Sequence, residues 1–375
     1  VSDAIQKLAM PKWGLSMTEG HLIEWLTDEG AEINVGDEVA EVETDKLNGT
    51  VESPVAGTLR RRVASKGDTV PVGGLLAVVA AGDVTDEEID AFVAEFEATF
   101  VPGESEEEAG PMPETVQVAA GGLRFLRQGE GNDAVVLLHG FGGDINNWLF
   151  TAPALAASYT VYGLDLPGHG GSTKQVGDGD VDTLVSAVEQ FLDSQEIEFA
   201  HLVGHSLGGL VACGLALRDP VRVRSLTLIA SAGLGEEINR QYVEQFISAS
   251  SRRELKGALE LLFADPSQVN RQLVDDVLRY KRIDGVTEAL QAIATQVFGN
   301  GHQSEVVAPR LATLEVPVLV IWGTRDRIIP AEHAQHAPER AEVRLLDGSG
   351  HSPHMEQAGE VNRLVEEFLA GVRAG

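Results

Sequence analysis

The chain has 375 residues, room for two or three domains, and its 43% hydrophobic and 23% charged residues are the balance of a soluble globular protein with a buried core. Its formal net charge is −30, and residues 1–115 hold 25 acidic against 7 basic side chains, so nucleic acid and anionic membranes are poor partners. A single cysteine excludes internal disulfides. No apolar run spans a bilayer and no signal-peptide pattern opens the sequence, so a cytoplasmic, bacterial-type enzyme is expected.

The first 82 residues repeat at an offset of 37. "GHLIEWL" from Gly20 aligns with "GTLRRRV" from Gly57, and "INVGDEVAEV" from Ile33 with "VPVGGLLAVV" from Val70. Each copy alternates short apolar strands with Gly and Asp turns, which predicts two similar small sheets packed face to face. The first copy ends at Val42 and the second at Val79, where the chain leaves the domain. The repeat therefore puts Lys46, just past the first copy, at the pole opposite that exit.

"TDEEIDAFVAEFEATF" follows, with capping-box spacing at Thr85 and Glu88 and Ile89, Phe92, Val93, Phe96 and Phe100 on one helical face. That face is expected to pack on its own chain. "VPGESEEEAGPMPE" reads as an extended, self-repelling linker. From about residue 116, continuous apolar runs alternate with helical stretches, the pattern of a mostly parallel sheet covered on both faces. It opens with a hairpin, "TVQVAA" and "LRFLRQG", turning on Gly121-Gly122, and it is interrupted from about 233 to 308 by a helix-rich cap. The expected division is 1–82, 83–115 and 116–375.

Lys46 is the sole Lys or Arg between Lys12 and Arg60, and it lies in "ETDKLNGTVESPVAG". This stretch resembles the lipoyl domains of 2-oxo-acid dehydrogenase-type complexes over about residues 4–80. The Met-Lys-Met centre of the related biotinyl domains is absent. The resemblance implies an all-β lipoyl domain, a flattened two-sheet barrel, with lipoate amide-linked to Lys46 and loaded with an acyl group by reductive acylation.

Gly204-His205-Ser206-Leu207-Gly208 matches G-x-S-x-G, between an apparent strand "FAHLV" and an apolar helix. The motif needs small neighbours because the serine sits on a strained strand-to-helix turn. A serine nucleophile needs a base and an acid to orient it. Asp326 follows the strand "VPVLVIWG", and His351 follows "VRLLDGSG". His354 is a rival base. Asp165, Asp347 and His169 read as structural, His139 and Gly140 as shaping a loop, and Cys213 as a small buried hydrophobe. The order Ser, Asp, His resembles the α/β-hydrolase fold over about residues 116–370. That resemblance makes "HGFGGD" the oxyanion loop, with the backbone N–H groups of Phe141 and Leu207 as donors.

A tethered acyl thioester and an activated serine belong together chemically: one is substrate for the other. A lipoyl domain fused to an α/β-hydrolase domain with a helical cap resembles the acyltransferase components of acetoin dehydrogenase complexes. The resemblance implies acetyl transfer from S-acetyldihydrolipoyl-Lys46 to coenzyme A in acetoin catabolism. It also implies two partners, a thiamine-diphosphate-dependent acetoin dehydrogenase component and a dihydrolipoyl dehydrogenase. The residues alone equally suit a serine hydrolase with a lipoyl delivery arm, while the intact Ser206, Asp326 and His351 argue against a non-catalytic scaffold. The His-x-x-x-Asp-Gly signature of ordinary 2-oxo-acid dehydrogenase acyltransferases is absent, as is a recognisable peripheral subunit-binding domain. There is no G-x-x-x-x-G-K phosphate loop either; Arg252, Arg253 and Lys256 are candidates for coenzyme A phosphates but read more readily as a solvated helix face.

Overall fold

The computed structural model describes residues 5–13, 17–44, 48–82, 84–102 and 111–374. Contacts divide the chain into two units, Val1–Met112 and Pro113–Gly375.

The first unit holds eight strands, β1 (Ile5–Ala9), β2 (Glu19–Trp25), β3 (Glu32–Ile33), β4 (Glu38–Glu43), β5 (Asn48–Glu52), β6 (Gly57–Arg62), β7 (Thr69–Pro71) and β8 (Leu75–Ala80). They form two four-stranded sheets, ordered β1-β8-β6-β3 and β5-β4-β2-β7. The internal repeat is written into the hydrogen bonds. Gly67 N–H donates to Leu22 O at 2.8 Å, and Gly30 N–H, 37 residues earlier, donates to Leu59 O at 2.7 Å. Leu22 N–H to Asp68 O and Leu59 N–H to Ala31 O repeat at the same offset. Each copy therefore completes the other's sheet, which is why Leu22 and Leu59 are fully buried.

Helix α1 (Asp86–Thr99) begins at the expected capping box, Thr85 with Glu88. Its apolar face packs on its own unit: Ile89 is buried with Leu75, Val78, Ala80 and Val84, flanked by Phe92, Val93 and Phe96. Arg60 and Arg61 of β6 pair with Asp86 and Asp90 on its first turns. Much of the acidic stretch expected as a linker, residues 103–110, lies outside the described residues.

The second unit is built on an eight-stranded sheet. Its strands are β9 (Glu114–Val118), β10 (Gly121–Gln128), β11 (Ala134–Leu138), β12 (Thr160–Leu164), β13 (Ala200–His205), β14 (Val223–Ile229), β15 (Val318–Gly323) and β16 (Glu342–Leu346), ordered β16-β15-β14-β13-β11-β12-β10-β9. β11 through β16 pair in parallel, and β9 and β10 add an antiparallel edge. The opening hairpin turns on Ala119-Ala120 rather than on the glycines. Gly121 instead starts β10 at φ 115°, a backbone that side chains rarely adopt. β16, expected as a strand like its neighbours, is an edge strand with Val343 and Leu345 exposed.

Helices α2 (Thr151–Ala156), α3 (Val181–Ser194) and α4 (Leu207–Arg218) follow β11, β12 and β13. Strand alternation decides which helix each residue meets. Val161 faces a core shared with Leu155 of α2, whereas Tyr162 meets Phe191 of α3 at 5.8 Å between ring centroids. Burying one such side chain stabilises the fold by about 1.5–3 kcal/mol. Between β14 and β15 lie α5 (Arg240–Ser248), α6 (Arg252–Leu259), α7 (Arg271–Lys281), α8 (Val286–Val297) and the single turn α9 (Ala308–Leu311). Each of α5, α6 and α7 starts at a side-chain cap, Asn239, Ser251 and Asn270. After β16 come α10 (Pro353–Glu356) and α11 (Ala358–Ala374), the latter covering the same face as α2. No helix among the described residues is long and apolar enough to cross a membrane.

Candidate active site

The site lies at the C-terminal ends of β11, β13 and β15, beside the point where the connections leaving neighbouring β11 and β13 run toward opposite edges of the sheet. Ser206 joins β13 to α4 with φ 51° and ψ −115°, a strained backbone for a residue with a side chain. The turn is tight enough that a Cβ at Gly208 would collide with the carbonyls of Leu138 and His139, so the motif's glycine is dictated by close approach to β11. Ser206 N–H is held by Ile229 O at 3.0 Å.

Asp326 and His351 come together as the sequence predicted. His351 Nδ1 donates to Asp326 Oδ2 at 2.8 Å, with both side chains buried. The acceptor must be the carboxylate, so Nδ1 carries the proton and Nε2 is left with its lone pair. Asp326 is fixed by three further donors: Ile328 N–H at 2.7 Å, Ile329 N–H at 3.0 Å and Trp322 Nε1 at 2.9 Å. His351 reaches the nucleophile's turn through His205, whose Nε2 donates to His351 O at 2.8 Å. Ser206 is 5% and His351 2% exposed, so little water reaches either.

His354 is no rival in this arrangement. Its ring lies against Trp148 and His205, 4.9 and 4.5 Å between centroids, and neither nitrogen has a hydrogen-bond partner among the described residues. Burial, with the neighbouring His351, pushes it down to about 3. Burial also holds His205 and His169 well below the ordinary histidine range, and His139 below it.

His139 shapes the loop after β11: its Nδ1 donates to Gly140 O, and its Nε2 accepts from Leu166 N–H. Asp165 ties two turns, accepting from Ile145 and Gly171 N–H at 2.8 and 2.7 Å and pairing with Arg124. Desolvation raises its pKa. Asp347 accepts from Thr324 at 3.1 Å. Cys213 is fully buried in α4, with burial pushing its thiol up to about 12. The N–H groups of Phe141 and Leu207 have no hydrogen-bond acceptor among the described residues, the condition a site for a developing oxyanion requires. Phe246 of α5 and Phe298 after α8 each stack edge-on against Phe141 at 5.8 Å, so the cap roofs this loop.

Two contributors were missed in the sequence. His205, the variable position of the motif, links the elbow to the His351 loop. Glu356 accepts N–H bonds from Gly350 at 2.8 Å and Ser352 at 3.3 Å, clasping the residues on both sides of His351, and from Ala264 at 2.7 Å. Burial raises its pKa. A lone carboxylate in "HSPHMEQ" was the signal available.

Lys46 lies outside the described residues. The strands that flank it are described: β4 and β5 pair antiparallel up to Glu43 and Asn48. By the 37-residue offset, Glu43 corresponds to Ala80, where the domain ends at β8.

The second unit has the geometry of the α/β-hydrolase fold, the class in which a serine after a parallel strand attacks acyl carbons, and residues 133–358 match the family of that description. Residues 6–79 match the family described as biotin-requiring enzyme, the biotin/lipoyl domains. The dihydrolipoyllysine-residue acetyltransferase component of the acetoin cleaving system of Cupriavidus necator is 48% identical, over 99% of each chain. Its counterpart in Pseudomonas putida is 50% identical, over 97% of this chain and 98% of that one. Among solved structures, a meta-cleavage product hydrolase from Pseudomonas fluorescens is 27% identical with a TM-score of 0.63, covering 69% of this chain and 97% of that one. The chain belongs to the family of dihydrolipoyllysine-residue acetyltransferase components of acetoin cleaving systems.

Proposed function

We infer that the chain transfers an acetyl group from S-acetyldihydrolipoyl-Lys46 to coenzyme A. The observation that carries this reading is the full-length likeness to two acetyltransferase components: both the lysine-bearing domain and the serine-bearing domain are matched in one chain. Lipoate on Lys46, its ring opened by reductive acylation, would supply the acetyl thioester on a long tether.

The chemistry then follows from the second unit's residues. His351 Nε2 takes the Ser206 proton, and Ser206 Oγ adds to the thioester carbonyl. Phe141 and Leu207 N–H groups hold the oxyanion, and Asp326 stabilises the imidazolium. Collapse expels the dihydrolipoyl thiolate, which takes the proton from His351 and leaves acetyl-Ser206. The thiol of coenzyme A gives its proton to His351 and attacks the acetyl-serine. A second collapse returns the proton to Ser206 and releases acetyl-coenzyme A. Burial of Ser206 and His351, with Phe246 and Phe298 packed on Phe141 of the oxyanion loop, limits water and supports a bound thiol as second acceptor.

In this reading residues 1–82 are the carrier domain, 83–115 a helix and linker, 116–375 the catalytic domain, and 233–308 its cap. Its partners are the thiamine-diphosphate-dependent component that loads the arm and the dihydrolipoyl dehydrogenase that reoxidises it, in the cytoplasm.

A second reading, a hydrolase fed by the arm, is favoured by the likeness to the meta-cleavage product hydrolase. The test uses lipoylated chain loaded with acetyl groups, following acetyl-coenzyme A and acetate together. Acetyl-coenzyme A formed by wild type and lost in Ser206→Ala supports transfer. Acetate at one rate with or without coenzyme A leaves a hydrolase.

A further inference from the structure

The cap contains a polar cavity of about 320 Å³ whose wall includes Arg252, Arg279 and Arg282, with Ser250, Ser251 and Asp275. In a chain of net charge −30, this part of the cap is different: residues 252–282 hold 7 Lys or Arg against 5 Asp or Glu. Carboxylates of α7 hold two of the arginines in place, Asp275 on Arg252 and Asp276 on Arg279 at 2.8 Å. Arg282 has no side-chain partner among the described residues and is exposed. A guanidinium has five N–H donors, so one carboxylate contact orients the group and leaves donors free. The N-terminus of α6 is not the attraction, because Glu254 already caps it.

The cavity stands at a fixed distance from the reacting centre. α6 begins in its wall, and the turn after that helix ends at Leu262, whose carbonyl accepts the N–H groups of His351 at 2.9 Å and Ser352 at 3.1 Å. Arg252 to Leu262 spans roughly 15 Å at about 1.5 Å per residue. On the other side, Ser250 follows Phe246, whose ring rests on Phe141, by four residues. Buried Lys281 ties the two together, donating to the carbonyls of Phe246, Ile247 and Ala249 from the end of α7.

Charge and distance describe one kind of ligand: a polyanion joined to the reacting atom by a long arm. We propose that the Arg252–Arg279–Arg282 cavity binds the phosphates of coenzyme A, with the pantetheine arm running along α6 to Ser206. The assignment rests on the transfer reading above. Planar guanidinium groups match phosphate oxygens bidentately, and outside this cluster a strongly acidic chain repels such a ligand.

The test separates the site from the chemistry. Adenosine 3′,5′-bisphosphate, which has phosphates and no thiol, is titrated calorimetrically into the full chain. Wild type is expected to bind it in competition with coenzyme A. Arg282→Ala and the Arg279→Ala/Arg282→Ala pair are expected to weaken it about tenfold or more, the effect of losing a charge-assisted hydrogen bond. Arg240→Ala, elsewhere in the cap, serves as the control. The ratio of kcat/KM for coenzyme A to that for pantetheine falls by the same factor in the arginine variants. No binding by wild type, or equal binding by wild type and the double variant, overturns the proposal. Bisphosphate binding through the arginines in a protein that transfers acetyl to no thiol retains the site and rejects the transfer reading.

Discussion

Replacing His354 with leucine separates the two histidines that follow β16. The side chains are similar in volume, and both imidazole nitrogens of His354 are buried without partners among the described residues, so an apolar replacement is nearly neutral at pH 7.5, within about 1 kcal/mol. Acid changes that. An unfolded histidine, with a pKa of about 6.5, binds a proton as pH falls, whereas folded His354 stays neutral down to about 3. Its folded pKa is depressed, so its contribution is fully present above about pH 6.5 and is lost as pH falls toward 3. The loss runs at about 1.4 kcal/mol per pH unit, or about 2 kcal/mol at pH 5. His354→Leu should therefore lose about 2 kcal/mol less than wild type between pH 7.5 and pH 5, read from urea unfolding followed by tryptophan fluorescence, with Trp148 adjacent to the site. The same variant should keep acetyl transfer. Equal acid sensitivity in the two proteins would refute the buried neutral imidazole, and loss of transfer would make His354 the base.

Three other changes probe the site from different sides. Asp326→Asn puts an amide where the carboxylate accepts the Nδ1 proton, so His351 takes the wrong tautomer; kcat should fall about 10³–10⁴-fold in steady-state assays while coenzyme A still binds. Glu356→Gln can accept on one terminal atom only, so one of the clasped loop segments loses its partner. Stability should drop by about 1–3 kcal/mol and kcat should fall, measured by thermal unfolding and initial rates. Cys213, with its thiol raised to about 12 by burial, should resist thiol reagents in the native chain and react in denaturant; fast native labelling would contradict its place in α4.

The sequence made the elements of local or repeated pattern visible. The 37-residue offset reappears as paired hydrogen bonds at Leu22 and Leu59, because each sheet is completed by a strand from the other copy. The α1 capping box was readable because its partners are three residues apart. The elbow was readable because tight packing of Gly208 against β11 leaves no alternative residue. What stayed hidden depends on contacts between distant segments. His351 and His354 are three residues apart, and only the fold turns one toward Asp326 and the other against Trp148. The arginine cavity joins α6 and α7 across a bend, so the helix that reads as a solvated surface shares its wall with residues 23 or more positions away. The hairpin turn moved because Gly121 is needed for a strand start rather than for the turn.

The central claim is that acetyl passes through Ser206. The most direct measurement is a rapid acid quench of acetyl-loaded, lipoylated chain before coenzyme A is added, followed by mass spectrometry of the peptide containing Ser206. The account predicts an acetylated Ser206 peptide that disappears on addition of coenzyme A as acetyl-coenzyme A forms. Acetyl-coenzyme A produced at full rate by Ser206→Ala, with no acetylated serine in wild type, would contradict it.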